Sequence, residues 1–490
     1  MAENWTIMVY ISADDVLANF AIESLQQLRN AAIKSREMGG GRIAVVAAFD
    51  ANQHEPACIY FFNGEDPNSD PTSRMSEIGI TEMKKLTQFR CNPVDMTLPE
   101  TLTEFINYAS DHSKTERYCL ILWGHGTELL LDDERRLAAL ATITPAAGPV
   151  AATKPKIVDA LAMNGSVRRY LTPRNLKKAL EDTNLAKADK HLDIIGIDAC
   201  SMSMIEVASE LNGLVDFMVA SQGDVPDQSF PYENILETLA AENTGDVRKL
   251  CEMIPKLYQQ SFQNYIATPA NGMREITLSS LDLRKIGKIT SPLKKLSAAL
   301  LGSISDKYIR DAILAARKKS QGFVFGIFVD LFDYCTQLKE ELVAKSITND
   351  AITSACREIR DAIKLGGSSC LIANETSGKK EDQCHGLSIY FPYRVDDPTD
   401  EVEELLAKGG TRRPLKERSA RIEELEADFE LLDRFKQTEW LQFIKEGWSL
   451  ILAEQVPLLE LDTHYSGEQC TANLFALYQG QRKAEVAKAA

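Results

Sequence analysis

The sequence predicts an α/β fold: a mostly parallel sheet covered by helices on both faces. Three observations predict it. The first half alternates short β-rich runs with helical stretches, the order that generates βαβ units. Its later runs, CLILW and LDIIGI, are apolar apart from Asp193, as strands buried between two helical layers are. The chain of 490 residues is also long enough to bury a large core, with a length prior of about three domain-sized units at about 150 residues each.

The first strand is WTIMVYIS, Trp5 to Ser12, and a helix follows from about Leu17 to Arg36 with apolar Leu17, Phe20, Leu25 and Leu28 on one face. Gly39, Gly40 and Gly41 punctuate the chain before RIAVVAAFD; no GK[ST] or G-x-G-x-x-G follows, so they read as a linker. A third strand is expected at ACIYFF, a helix at LPETLTEFINYASDH, a fourth strand at YCLILWG, a helix at LTPRNLKKALEDT and a fifth strand at HLDIIGIDA. ITLSSLDL, GFVFGIFVDL and GLSIYFP then either extend the sheet or pack a helical subdomain on it. Residues 1–395 form the expected core, including an exposed, Ala/Thr/Pro-rich mobile loop at about 133–171. A charged helical insertion and closing helix occupy 396–450, and a C-terminal extension 451–490.

Composition narrows the function. With 55 Lys plus Arg against 71 Asp plus Glu, the formal charge of −16 argues against nucleic-acid binding. Hydrophobic residues at 44% and charged at 26% describe a soluble globular chain, and no run reaches the roughly 18 apolar residues a membrane span needs. Ten cysteines without a CxxC pair, together with no export signal at the start, suggest reduced thiols in a cytoplasmic protein. Without HExxH or paired CxxC, no metal site is expected.

In open parallel sheets functional residues gather at the carboxyl ends of strands. Two endings stand out: Gly124-His125-Gly126 after CLILW, and Asp198-Ala199-Cys200 after LDIIGI. A thiol needs a partner to ionise it, and an imidazole can take that proton at neutral pH and later give it to a leaving amine. His125 with Cys200 therefore suits acyl transfer, and the amides of Gly126 and Cys200 are the candidate oxyanion hole. Against this stand ordinary roles: a buried small hydrophobe for Cys200, a turn residue for His125. The competing pair Cys384 and His385 are sequence neighbours before a strand, so their side chains diverge, and Cys119 lies inside an apolar strand.

At these residues the sequence resembles the clostripain-like cysteine peptidases, relatives of caspases and gingipains. WTIMVYISADD, LILWGHG, DIIGIDACSMSMIEVASEL, SQGDVPDQSFPYENIL, ITLSSLDL, FVDLFDY, GLSIYFP and TEWLQFI match the family's successive blocks from about Trp5 to Ile444. The resemblance implies a caspase-like three-layer αβα sandwich with added helical elements, His125 as base and acid, Cys200 as nucleophile, and cleavage after Arg or Lys. It implies Asp198 as the substrate-binding carboxylate, a charge-assisted partner for a basic side chain, with Asp224 second. It also implies an inactive precursor cut between the two catalytic blocks, by itself or by an activating protease; Lys154, Lys156, Arg168 and Arg169 are the candidate processing sites. The residues themselves require no cofactor. Calcium enters by family resemblance only, since no D-x-[DN]-x-[DN]-G loop is present and Asp132, Asp133 and Glu134 are a loose acidic group. The alternative is a catalytically silent caspase-like scaffold binding partners through the charged insertion; a third reading turns the same pair to another acyl transfer.

Overall fold

The computed structural model describes residues 5–13, 17–37, 43–50, 57–62, 94–113, 115–124, 171–226, 228–242, 246–267, 276–323, 327–378, 384–392 and 429–454. Eleven strands are described: β1 Trp5–Ser12, β2 Ile43–Asp50, β3 Cys58–Phe62, β4 Arg117–Trp123, β5 Leu192–Asp198, β6 Val215–Ala220, β7 Ile276–Asp282, β8 Gly322–Phe323, β9 Phe328–Asp330, β10 Leu371–Ser377 and β11 Ser388–Tyr390. Eight of them form one sheet in the order β10-β7-β6-β5-β4-β1-β2-β3. Its centre, β6-β5-β4-β1-β2, is parallel.

Strand alternation sends side chains into two apolar layers. Ile7, Val9 and Ile11 join one cluster, with α1 (Ala18–Glu37); Met8 and Tyr10 join the other, with α2 (Pro99–Ser113), α3 (Pro173–Glu181) and α4 (Ile205–Leu211). The first layer is completed by α5 (Tyr232–Glu242) and α6 (Val247–Ala267), the second by α7 (Gly287–Gly302), α8 (Lys307–Lys319), α9 (Leu331–Ala344) and α10 (Asp350–Ile363). The result is the three-layer αβα sandwich the sequence predicts. Local signals fix its helices: in LTPRN, Thr172 caps α3 by accepting from the Asn175 amide, and Pro173 fills the first turn, where no backbone donor is needed. No described helix is long and apolar enough to cross a membrane.

The structure departs from the simple parallel reading at three places. β3 pairs antiparallel with β2, because residues 51–57 are too few for a crossover, which takes about a dozen or more. β7 and β10 extend the sheet, but both ladders, β6–β7 and β7–β10, are antiparallel. GFVFGIFVDL supplies β8 and β9, which pair with β11 in a separate three-stranded sheet. That small sheet touches the first one where it matters: the Ser388 amide donates to Ser203 O at 2.9 Å, three residues beyond Cys200.

Gly386 opens this join with φ +89, a conformation L side chains rarely adopt. A Cβ there would stand 2.8 Å from Leu371 Cδ1 and 3.0 Å from Ser279 Cβ. Gly386→Ala is expected to cost about 2–4 kcal/mol from backbone strain and overpacking together. Thermal unfolding checks it: a midpoint within about 1 °C of wild type would show that the join has slack.

The last described segment, 429–454, closes the second layer. Buried Glu210 on α4 accepts from the amides of Arg434 at 2.6 Å and Phe435 at 3.0 Å and pairs with Lys177 at 3.2 Å. Trp440 and Trp448 donate their indole N–H groups to Tyr390 O and Pro392 O, each at 2.6 Å. The preceding charged stretch and the loop at 133–171 lie outside the described residues, apart from Leu171.

Candidate active site

The site is built where β4 and β5 end. Their parallel register pairs Trp123 with Asp198, and the Gly124 amide donates to Asp198 O at 3.3 Å. Beyond that pair the chain runs two residues to position 125 on one strand and two to Cys200 on the other. His125 itself, Gly126 and the candidate processing residues Lys154, Lys156, Arg168 and Arg169 lie outside the described residues.

Cys200 is buried at 5% exposure in the turn after β5. Its sulfur accepts from the Val225 amide at 3.1 Å and points its S–H toward Val225 O at 3.8 Å. The turn is held tightly from the side by the segment after β6. The Ser201 amide donates to Gly223 O at 2.9 Å and the Ser203 amide to Ser221 O at 2.7 Å. Ser201 has φ +55, a left-handed conformation that costs a non-glycine residue about 1 kcal/mol and persists only where neighbours fix it. Strain and lateral bonding together present Cys200 at the strand end.

Asp198 is also buried. Its Oδ2 accepts from Tyr232 Oη at 2.6 Å, the Phe230 amide at 3.0 Å and Ser229 Oγ. Oδ1 is buried with no hydrogen-bond partner among the described residues. Burial pushes the carboxyl up to about 6, and the three hydrogen bonds only partly offset it. Tyr258, whose ring meets Phe230 at 5.7 Å, keeps a buried hydroxyl without a hydrogen-bond partner among the described residues. Burial raises its pKa well above the usual value, and the nearby charges of Asp198, Cys200 and Asp224 add to the effect. Asp224 is exposed between buried Gly223 and Val225, on the segment that borders Cys200.

Four of the other described thiols are held neutral by burial. Burial raises Cys119, Cys251 and Cys335 well above the ordinary thiol value and pushes Cys370 up to about 12. The described histidines are engaged elsewhere: His112 stacks on Tyr108 at 4.2 Å, His191 meets Asp216 at 3.1 Å, and His385 meets Asp330 at 3.2 Å. Among the described residues no group of three or more His, Cys, Asp and Glu side chains could hold a metal ion. Asp132, Asp133 and Glu134 lie outside them. The residues sequence reasoning missed are the supports: Gln222, Ser229, Tyr232, Thr277 and Asp330. The blocks SQGD, SFPYENIL and FVDLFDY contain four of them, and their one signal is a polar residue inside a run that the fold buries.

The sequence profile of the clostripain family matches residues 9–448. The chain belongs to the clostripain family. It is accordingly a cysteine protease. No curated protein sequence matches it. Among solved structures, an inactive zymogen C11 protease from Parabacteroides distasonis is 17% identical, with 83% of this chain and 96% of that one covered and a TM-score of 0.50. A secreted C11 cysteine protease from Bacteroides thetaiotaomicron, in complex with an irreversible peptide inhibitor, is 15% identical, with 83% and 99% covered and a TM-score of 0.52. At these identities the likeness carries the fold, the α/β sandwich described above.

Proposed function

We propose that this clostripain-family protease cleaves peptide bonds after Arg or Lys, with Cys200 as nucleophile and His125 as general base. The observation that carries the reading is the β4–β5 register: Trp123 pairs with Asp198 at the ends of parallel neighbouring strands, and in the sequence His125 and Cys200 each come two positions after that pair. The Cys200 thiolate attacks the scissile carbonyl carbon, and the proton taken by His125 passes to the leaving amine. Water, deprotonated by the same imidazole, then hydrolyses the thioester. The Gly126 and Cys200 amides are the donors proposed for the oxyanion.

Asp198 supports the choice of substrate. Its unpartnered buried Oδ1 is an acceptor that a guanidinium or ammonium would satisfy with a charge-assisted bond. Exposed Asp224 adds negative charge on the segment bordering the nucleophile. A basic loop between the two catalytic blocks then becomes a substrate of the enzyme itself or of an activating protease, at Lys154, Lys156, Arg168 or Arg169.

Reporter peptides ending in Arg, Lys or Asp test the reading. Basic reporters are expected to turn over about 10- to 100-fold faster than the acidic one, the worth of a hydrogen bond to a charged group. Intact-mass spectra are expected to show a cut after one of the four basic residues in wild type and none in Cys200→Ala. Preference for the acidic reporter would overturn the role of Asp198, and a silent enzyme, with the loop intact or nicked, would favour the scaffold reading.

A further inference from the structure

The segment that borders Cys200 is fastened by one side chain to a different sheet. Gln222 is buried, and its carboxamide spans two elements: Nε2 donates to Asp330 Oδ2 at 3.0 Å, and Oε1 accepts from the Gly386 amide at 2.6 Å. Asp330, fully buried at the end of β9, caps α9 by accepting from the Asp333 amide at 2.7 Å, and it accepts from the His385 amide at 2.6 Å. Its anchorage to the small sheet is therefore rigid. On the other side the Gln222 and Gly223 amides both donate to Thr277 Oγ1, at 3.0 and 3.1 Å, so the backbone next to the carboxamide is fixed as well.

We propose that Gln222 is a positioning residue for the nucleophile: its carboxamide locks the 221–225 segment onto the small sheet, so that the Val225 amide is held against the Cys200 sulfur. A hydrogen bond to the charged form of a thiol favours that form, and the one at 3.1 Å does so only while Val225 stays in register. Gln222 touches neither substrate nor the reacting atoms; it acts through the segment. The inference rests on Cys200 being the nucleophile proposed above.

Gln222→Met keeps the volume and removes both bonds. It is expected to lower kcat on an Arg reporter about 10- to 100-fold, the scale of a small misplacement in an active site, with KM changed less than threefold. The second readout is the rate of Cys200 alkylation by iodoacetamide as a function of pH, located by peptide mass mapping. Its midpoint is expected to move up by about half to one pH unit, which a merely structural loss would not cause. The titratable groups facing the carboxamide network are Asp330, Asp333 and His385, and all three remain in the variant. If the Met variant does not fold, Gln222→Glu takes its place: it keeps the acceptor for Gly386, sets a carboxylate against Asp330, and is expected to move the midpoint the same way. An alkylation midpoint that stays put in the folded variant overturns the proposal, whatever happens to stability. Absence of peptide hydrolysis in wild type would count against the proposed function and not against this positioning role, because the alkylation curve needs no substrate.

Discussion

Cys200→Ala is expected to abolish peptide hydrolysis, with a loss of at least about 10⁴-fold, and His125→Ala to do nearly the same. The double variant should be scarcely worse than either single one, because a nucleophile and its base act as a unit. The fold should survive: alanine keeps the small apolar volume at 200, and leaving the Val225 amide without its sulfur acceptor costs about 1–2 kcal/mol. A thiolate-selective alkylating probe at neutral pH gives the companion result. Desolvation holds Cys119, Cys251, Cys335 and Cys370 in the neutral, unreactive form, whereas the proposed base His125 would ionise Cys200, so label should collect on Cys200 ahead of these four and lose that selectivity in His125→Ala. Equal turnover by Cys200→Ala, or label spread evenly over the thiols, would remove the proposed nucleophile.

How much of this site a reader could take from the sequence depends on the distance over which each contact acts. β4 and β5 are legible because each carries an apolar run, CLILW and IIGI, and both stop abruptly at polar or glycine residues. Their adjacency follows from the rule that successive strands of βαβ units pack side by side, and the Trp123–Asp198 register bears out that part of the reading. The antiparallel β3 was legible too, had the seven-residue gap before it been weighed. β6 and β10 were not read: VDFMVA is six residues directly after a short helix, and LIANETS is apolar for only its first half, as an edge strand can be. The supports of the site lie further out of reach. Asp198 Oδ2 is satisfied by Ser229, Phe230 and Tyr232, more than thirty positions on, and Gln222 by Asp330 and Gly386, more than a hundred positions on. No spacing rule joins such residues; only the sheet order and the second sheet bring them together.

Asp198→Asn is expected to separate substrate recognition from chemistry. Asparagine keeps an oxygen for Tyr232, Phe230 and Ser229 and replaces the unpartnered Oδ1 with an uncharged amide. The value of kcat/KM on Arg and Lys reporters should therefore fall about 10- to 100-fold, while alkylation of Cys200 by a neutral reagent changes little. Wild type should lose its basic preference as pH drops through about 6, where the carboxylate takes a proton; the variant, with nothing there to protonate, should show no such step. Stability moves the other way. Burial raises this carboxyl from 3.8 to about 6 in the fold, so between those values the folded chain binds more protons than the unfolded one, and stability declines as pH rises, levelling off above about 6. The shift corresponds to about 3 kcal/mol. Paired urea titrations of the two proteins from pH 4 to pH 7 should show the Asn variant gaining on wild type by roughly that amount. A variant that kept its preference for basic reporters would move recognition to Asp224, and a stability gap flat with pH would mean that Asp198 meets far more solvent than its 3% exposure allows.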